Sequence, residues 1–379
     1  MRYVYLLIWF LGGIWLAHPL QAQSNLLPLE ALEEVRFFTN LDEALEKPEE
    51  VFALQLRNLG LEDVPREIEK FKNLQYLDLA LNPIEQLPKE LFGLRNLQVL
   101  DLWGAQLQAL PPQLKDLVNL RLLYLDYNQL LRLPEEIGQL KKLEVLDLAG
   151  NQLQSLPAQL GDLSSLQVLG LKQNQLVKLP ERLDSLVRLR VLDLEANQLQ
   201  RLSPGLAQLQ SLEYLYLNHN RLEDFPAEIG QLGQLRFLFL EHNQIKRVPN
   251  DLPDMPRLEV LQLGDNQLKS LPLGLCNLRS LPVLGLRNNL LETLPVEMRQ
   301  MQSLKTLLLE NTKLESFPMV LLQLENLELL SLRDNQLQAL PPEIKNMRRL
   351  RELNLRKNPL SNQEIAALRR EMSWCNIDF

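Results

Sequence analysis

From Val51 onward the chain repeats itself every 23 residues without an insertion or deletion. A unit that short cannot enclose a core of its own. It must bury its apolar side against the units before and after it, which makes the molecule a stack. Units begin at Val51, Leu74, Leu97, Leu120, Leu143, Leu166, Leu189, Leu212, Leu235, Leu258, Leu281, Leu304, Leu327 and Leu350, fourteen in all. The fourth and sixth positions are Leu in all fourteen, and the ninth is Asn in eleven. The fifteenth is Pro in twelve of the thirteen full units, with Ser203 the exception. The two or three domains that 379 residues would otherwise suggest are overridden by this regularity.

Each invariant position has a mechanical reading. The Leu-x-Leu segment alternates, so its two leucines point one way and their neighbours the other, which predicts a short strand. Stacked units then form a parallel sheet with its leucine face inside. The ninth-position Asn stands where the chain must turn out of the strand. Its amide can both donate to and accept from backbone groups that the turn would leave unpaired in the interior. The Leu-Pro step opens the return path, because Pro fixes φ and has no amide to satisfy. Leu59, Ala105 and Thr312 replace Asn in units one, three and twelve. A local shift that brings in Asn58 is expected in the first of these.

The full pattern, L-x-x-L-x-L-x-x-N-x-L followed by x-x-L-P-x-x-L-x-x-L, resembles the leucine-rich repeat family over most of the chain. The 23-residue period is most similar to its Ras-suppressor-like and bacterial branches. The resemblance implies an α/β solenoid, a leucine-rich repeat horseshoe of 14 repeats with a concave parallel β-sheet and helical caps. It also implies that partners bind on the concave face.

Four segments are expected. Residues 1–22 read as a secretory signal peptide, with Arg2 before the apolar stretch Val4 to Ala17, and Leu20 and Ala22 at a cleavage site. Residues 23–50 read as an N-terminal helical cap, with one helix from Leu29 to Phe38 and a second capped by Asn40 and Glu43. Residues 51–360 form the solenoid. Residues 361–379 read as a C-terminal cap helix, opened by Ser361 and Glu364 after Pro359 stops the last repeat.

Composition narrows the function. Lys plus Arg number 40 against 48 Asp plus Glu, a net charge of −8 that disfavours nucleic acid as a partner. Two Cys and three His cannot build a disulfide framework or a Cys/His-rich zinc site. Cys276 and Cys375 are four repeats apart, beyond disulfide reach. No G-x-S-x-G, P-loop, H-E-x-x-H or Rossmann glycine run is present, so no catalytic site and no cofactor is expected.

Alternation sends positions three, five and seven of each unit to the concave face. Read together with the variable position eight, these columns hold two aromatic groups. Tyr76, Trp103, Tyr124 and Tyr127 lie in units two to four, and Tyr214, Tyr216, Phe237 and Phe239 in units eight and nine. Such side chains give large contact area at small entropic cost, as at interface hot spots, although lateral packing between strands would use them equally well. Acids run along the first two thirds of the face: Asp78, Asp101, Asp126, Asp147, Asp193, Glu195 and Glu241. Arg287, Arg333, Arg356 and Lys357 take over near the end, a polarity able to steer a partner. His219 and His242, one period apart beside Glu241, form a weak metal candidate.

The expectation is a non-catalytic secreted recognition scaffold whose concave face binds a protein ligand, or less readily a glycan. The ligand-binding set is Tyr76, Trp103, Tyr124, Tyr127, Tyr214, Tyr216, Phe237, Phe239, Glu241, Arg287 and Arg333. No membrane span is expected to remain once the signal is cleaved. An intracellular signalling scaffold, as in the Ras-suppressor-like branch, and a cell-surface adhesion protein are the alternatives.

Overall fold

The computed structural model describes residues 26–379, so the signal-peptide segment lies outside the described residues. Every Leu-x-Leu segment becomes a three-residue strand over positions three to five of its unit, from Ala53–Gln55 (β2) to Glu352–Asn354 (β15). The repeat strands pair in parallel with the same register, one period apart, in a single sheet ordered as the chain runs. The solenoid therefore reads as the repeat requires. Its leucines form one continuous core, with Leu123, Leu146, Leu169 and Leu192 wholly inaccessible.

The turn out of each strand has a backbone signature. Position eight adopts a left-handed conformation in every unit, from Asn58 (φ 56°) through Tyr127 (56°), His219 (55°) and His242 (55°) to Lys357 (61°). Such a φ disfavours an L side chain, so something must hold it. The ninth-position Asn does so. Asn174 Nδ2 donates to the carbonyls of Leu148 (2.9 Å) and Leu171 (3.1 Å), and its Oδ1 accepts from the Leu153 amide (3.0 Å). The same bonds recur from Asn82 to Asn358, so each Asn ties its own unit to the one before.

The three units without Asn solve the turn differently. Each takes a second left-handed residue at position ten: Gly60 (φ 69°), Gln106 (67°) and Lys313 (66°). Thr312 recovers part of the lost bonding by donating its hydroxyl to the Leu309 carbonyl at 2.9 Å. Asn58 does not shift into the ninth role. It is exposed at position eight, and Asn82 of the next unit accepts from the Leu59 and Leu61 amides instead. Lys313→Gly is expected to stabilise the fold by about 0.5–1 kcal/mol, since Gly adopts this φ without steric cost. Thermal unfolding would show a raised Tm, and a lowered one would contradict the reading.

The return path runs through short 3-10 turns after the Pro, such as Glu135–Gln139 following Pro134. Unit ten has a short α-helix there, Leu273–Cys276, which buries Cys276. Unit nine has no helical turn at all between Phe239 and Val260, where Pro253 and Pro256 remove amide donors. Both cysteines are free, and burial pushes each thiol up to about 11.

The ends of the chain depart from the expected helices. Leu29 to Phe38 is not one helix but a 3-10 turn, Glu30–Glu33, followed by the strand Phe37–Phe38 (β1). The unpaired edge of β2 explains it. Phe37 and Phe38 register against Ala53 and Leu54, satisfying that edge while Phe38 enters the core. The α-helix Leu41–Glu46 follows, its Asn40 cap accepting from the Glu43 amide at 3.1 Å. At the other end Ser361 caps the helix Asn362–Glu371. A further strand, Asn376–Asp378 (β16), then covers β15.

Candidate functional site on the concave face

The strands hold positions three, five and seven on the face opposite the leucine core, but they do not leave them equally open. Position three forms a lateral apolar strip of its own. Val99, Val145, Val168, Val191 and Tyr214 are buried there, with Leu27, Leu29, Tyr76 and Phe237 packed against them. The segment before β1 reaches over the start of this strip. The Leu27 amide donates to Gln75 Oε1 (2.9 Å), and Gln98 Nε2 donates to the Leu27 carbonyl (2.8 Å). Phe37 packs edge-on to Tyr76, with centroids 5.2 Å apart.

The proposed aromatic residues therefore separate. Tyr124 and Tyr214, each 8% exposed, serve packing first. Tyr127 is 56% exposed, and Trp103, Tyr216 and Phe239 are half-buried. The structure brings the second group together as two parallel stacks. Tyr214 lies on Phe237 (4.8 Å, planes 4° apart) and Tyr216 on Phe239 (5.0 Å, 3°), following the strand spacing. Burial pushes the Tyr216 phenol up to about 12. In the first group the Arg57 guanidinium lies over the Trp103 ring at 4.7 Å. The value of Arg57 was not legible from the repeat, because position seven holds every kind of side chain.

Charge is sorted as the sequence orders it, and the geometry adds who is paired. Arg57 stands 3.7 Å from Asp78 and 3.8 Å from Asp101. Lys172 pairs with Glu195 at 2.9 Å. Arg287 folds across to Glu241 (2.9 Å) and Asp265 (3.4 Å), so two proposed ligand residues, Glu241 and Arg287, already engage each other. Arg333 is exposed. Among the described residues no basic side chain lies within ion-pair distance of Asp126, Asp147 or Asp193.

These acids carry the electrostatic signature of the face. Burial, then the neighbouring Asp147 and Asp101 charges, push Asp126 up to about 7. Burial, then Asp78, push Asp101 up to about 6, against the Trp103 amide and Arg57. Asp193 reaches about 6 through burial and Glu195. Burial also raises Asp147, whose Oδ1 accepts from the Ala149 amide at 3.1 Å.

His219 and His242 stack face to face, 4.2 Å between centroids and 9° between planes. Parallel stacked rings do not aim two in-plane nitrogens at one ion, and His242 turns toward Asp265 at 3.6 Å. Among the described residues no three metal-capable side chains gather, and no helix is long and apolar enough to cross a membrane. A polar hollow of about 450 Å³ is lined by Glu213, Arg236 and Glu259 with Pro256 of the irregular ninth unit and Pro282 of the eleventh.

Family profiles described as leucine-rich repeats match residues 118–176, 187–245, 233–277 and 326–347. A leucine-rich repeat protein of Leptospira interrogans is 34% identical, with a TM-score of 0.75 over 91% of this chain and 100% of that one. The chain belongs to the leucine-rich repeat family. It is also similar to the leucine-rich repeat ectodomain of the Arabidopsis thaliana membrane receptor kinase GASSHO1/SCHENGEN3, solved in complex with Casparian strip integrity factor 2. That likeness is 29% identity and a TM-score of 0.64, over 86% of this chain and 43% of that one. An internalin of Listeria monocytogenes shares the fold at 23% identity and a TM-score of 0.65, over 88% of each chain. No curated protein matches the sequence.

Proposed function

We propose that the chain is a non-catalytic, exported recognition scaffold that binds a protein ligand on its concave sheet. The observation that carries the reading is the pair of aromatic stacks at Tyr214, Tyr216, Phe237 and Phe239, held by consecutive strands with Tyr216 and Phe239 left accessible. A rigid sheet presents these rings at little conformational cost, which is what a hot spot requires. The receptor ectodomain solved in complex with Casparian strip integrity factor 2, and a plant peptide hormone receptor solved in complex with RGF2, support a polypeptide as the ligand class. In this reading residues 1–22 are the export signal, 23–50 and 361–379 are the caps, and 51–360 are the binding solenoid.

Replacing Tyr216 and Phe239 together with Ala is expected to weaken partner binding at least about tenfold, with the circular dichroism spectrum unchanged. Equal binding by a folded double variant would remove this patch from the interface. Export is tested separately by the N-terminal sequence of the protein recovered from cell fractions. A chain starting near Gln23 outside the cytoplasm supports the reading. A chain retaining Arg2 in the cytosol makes the intracellular scaffold the better one.

A further inference from the structure

Ion pairs neutralise much of the concave face, but the acids Asp126 and Asp147 of units four and five have none. Asp101 and Tyr124, then Tyr124 and Asp147, are register partners on adjacent strands, and Asp126 follows Tyr124 by two residues. Asp126 thus stands where the charges of Asp147 and Asp101 both act on it. Arg57, Lys172 and Arg287 serve the acids on either side. Among the described residues no cation reaches Asp126 or Asp147.

The relief of this patch is also unusual. Asp147 leans over Gly170 on the next strand, where a Cβ would come within 2.6 Å of its Oδ1. The Tyr127 ring leans over Gly150, where a Cβ would come within 2.8 Å of the ring. Two consecutive units thus withhold side chains where the carboxylate and the ring need room. Trp103 and the exposed Tyr127 border the acids, and Leu81, 39% exposed, extends that border toward the first unit. A partner meeting this surface finds uncompensated negative charge beside accessible aromatic area.

We infer that this patch seats a basic, extended polypeptide segment, with a lysine or arginine placed between Asp126 and Asp147 and its apolar neighbours on Trp103 and Tyr127. The inference rests on the concave-face reading above and names the chemistry of the partner. Charge complementarity selects the occupant, since a cation from outside is what these carboxylates lack. An aromatic ring beside them adds attraction for the same cation. A bare metal ion fits less well, because no three ligating side chains gather among the described residues.

Fluorescent octaarginine and octalysine, titrated into the full chain at physiological salt, test this directly, with octaglutamate as the opposite-charge control. Binding of the cationic peptides is expected to weaken at least about tenfold in D126N/D147N and several-fold in Y127A. It should stay within about twofold in E67Q/E69Q, which replaces two carboxylates on an exposed outer turn. Absence of binding, or equal loss in the two double variants, overturns the proposal. Self-association of the free chain that D126N/D147N abolishes would assign the patch to a second copy, and also overturns it. Cationic peptides that fail to bind while Y216A/F239A still loses the natural partner would remove the basic segment and leave the concave-face reading standing.

Discussion

Asn174→Ala is expected to be the most damaging conservative truncation in the middle of the solenoid. The side chain is buried, and it serves the Leu153 amide and the carbonyls of Leu148 and Leu171. Alanine leaves those groups in the interior, facing leucine and no water. Each abandoned group costs about 1–3 kcal/mol, so a loss of about 3 kcal/mol or more is expected. The units that lack Asn share one adaptation, a second left-handed residue at position ten. In this unit that residue would be Gln175, which gains no bond from the change and takes on strain. Because a solenoid couples nearest neighbours, the damage should be local at first. Hydrogen exchange is expected to lose protection in units five to seven while the caps stay protected. Unchanged exchange in those units would mean the Asn bonds do not hold the turn.

The second large effect is in pH. Asp101, Asp126 and Asp193 have folded pKa values of about 6, 7 and 6, above the ordinary value of 3.8 that applies once the chain unfolds. A raised folded value means that the native state binds protons the unfolded state does not, so these groups favour folding at low pH. Their contribution is full below about pH 4 and is lost as pH rises through 6 to 7. Acidifying from pH 8 to pH 5 should therefore stabilise the protein by on the order of a few kcal/mol, discounted because Asp126 keeps some solvent. Denaturant unfolding at both pH values measures it. D126N/D147N should raise stability at pH 8 and flatten the profile. A protein less stable at pH 5 than at pH 8 would contradict the placement of these acids.

The repeat made the sheet legible because the leucines recur at fixed offsets and the strand register admits one face for them. Positions three, five and seven could be put on the concave face for the same reason. What the repeat hid was conformational. Position eight mixes Gly, Asn and Asp, which favour a left-handed φ, with Leu, Tyr, Gln, Ala, His and Lys, so the column as a whole does not announce the shared conformation. The edge strands Phe37–Phe38 and Asn376–Asp378 were equally hidden, since the hydrogen bonds of β2 and β15, not local pattern, dictate them. Within the site, Tyr214 and Tyr216 are indistinguishable by alternation. Only the lateral strip of valines shows that the first is enclosed and the second accessible. Glu241 and Arg287 stand two units apart in sequence, and their pairing needed the empty Gly264 position between them, over which the arginine lies.

The concave sheet as the binding surface is most directly tested by site-specific photo-crosslinking to the bound partner. A crosslinker placed at Tyr127 or Phe239 on the sheet is expected to give covalent adducts. One placed at the exposed Val118 or Met319, away from the strands, is expected to give none. Adducts from Val118 or Met319, with none from Tyr127 and Phe239, would move the interface off the sheet and contradict the account.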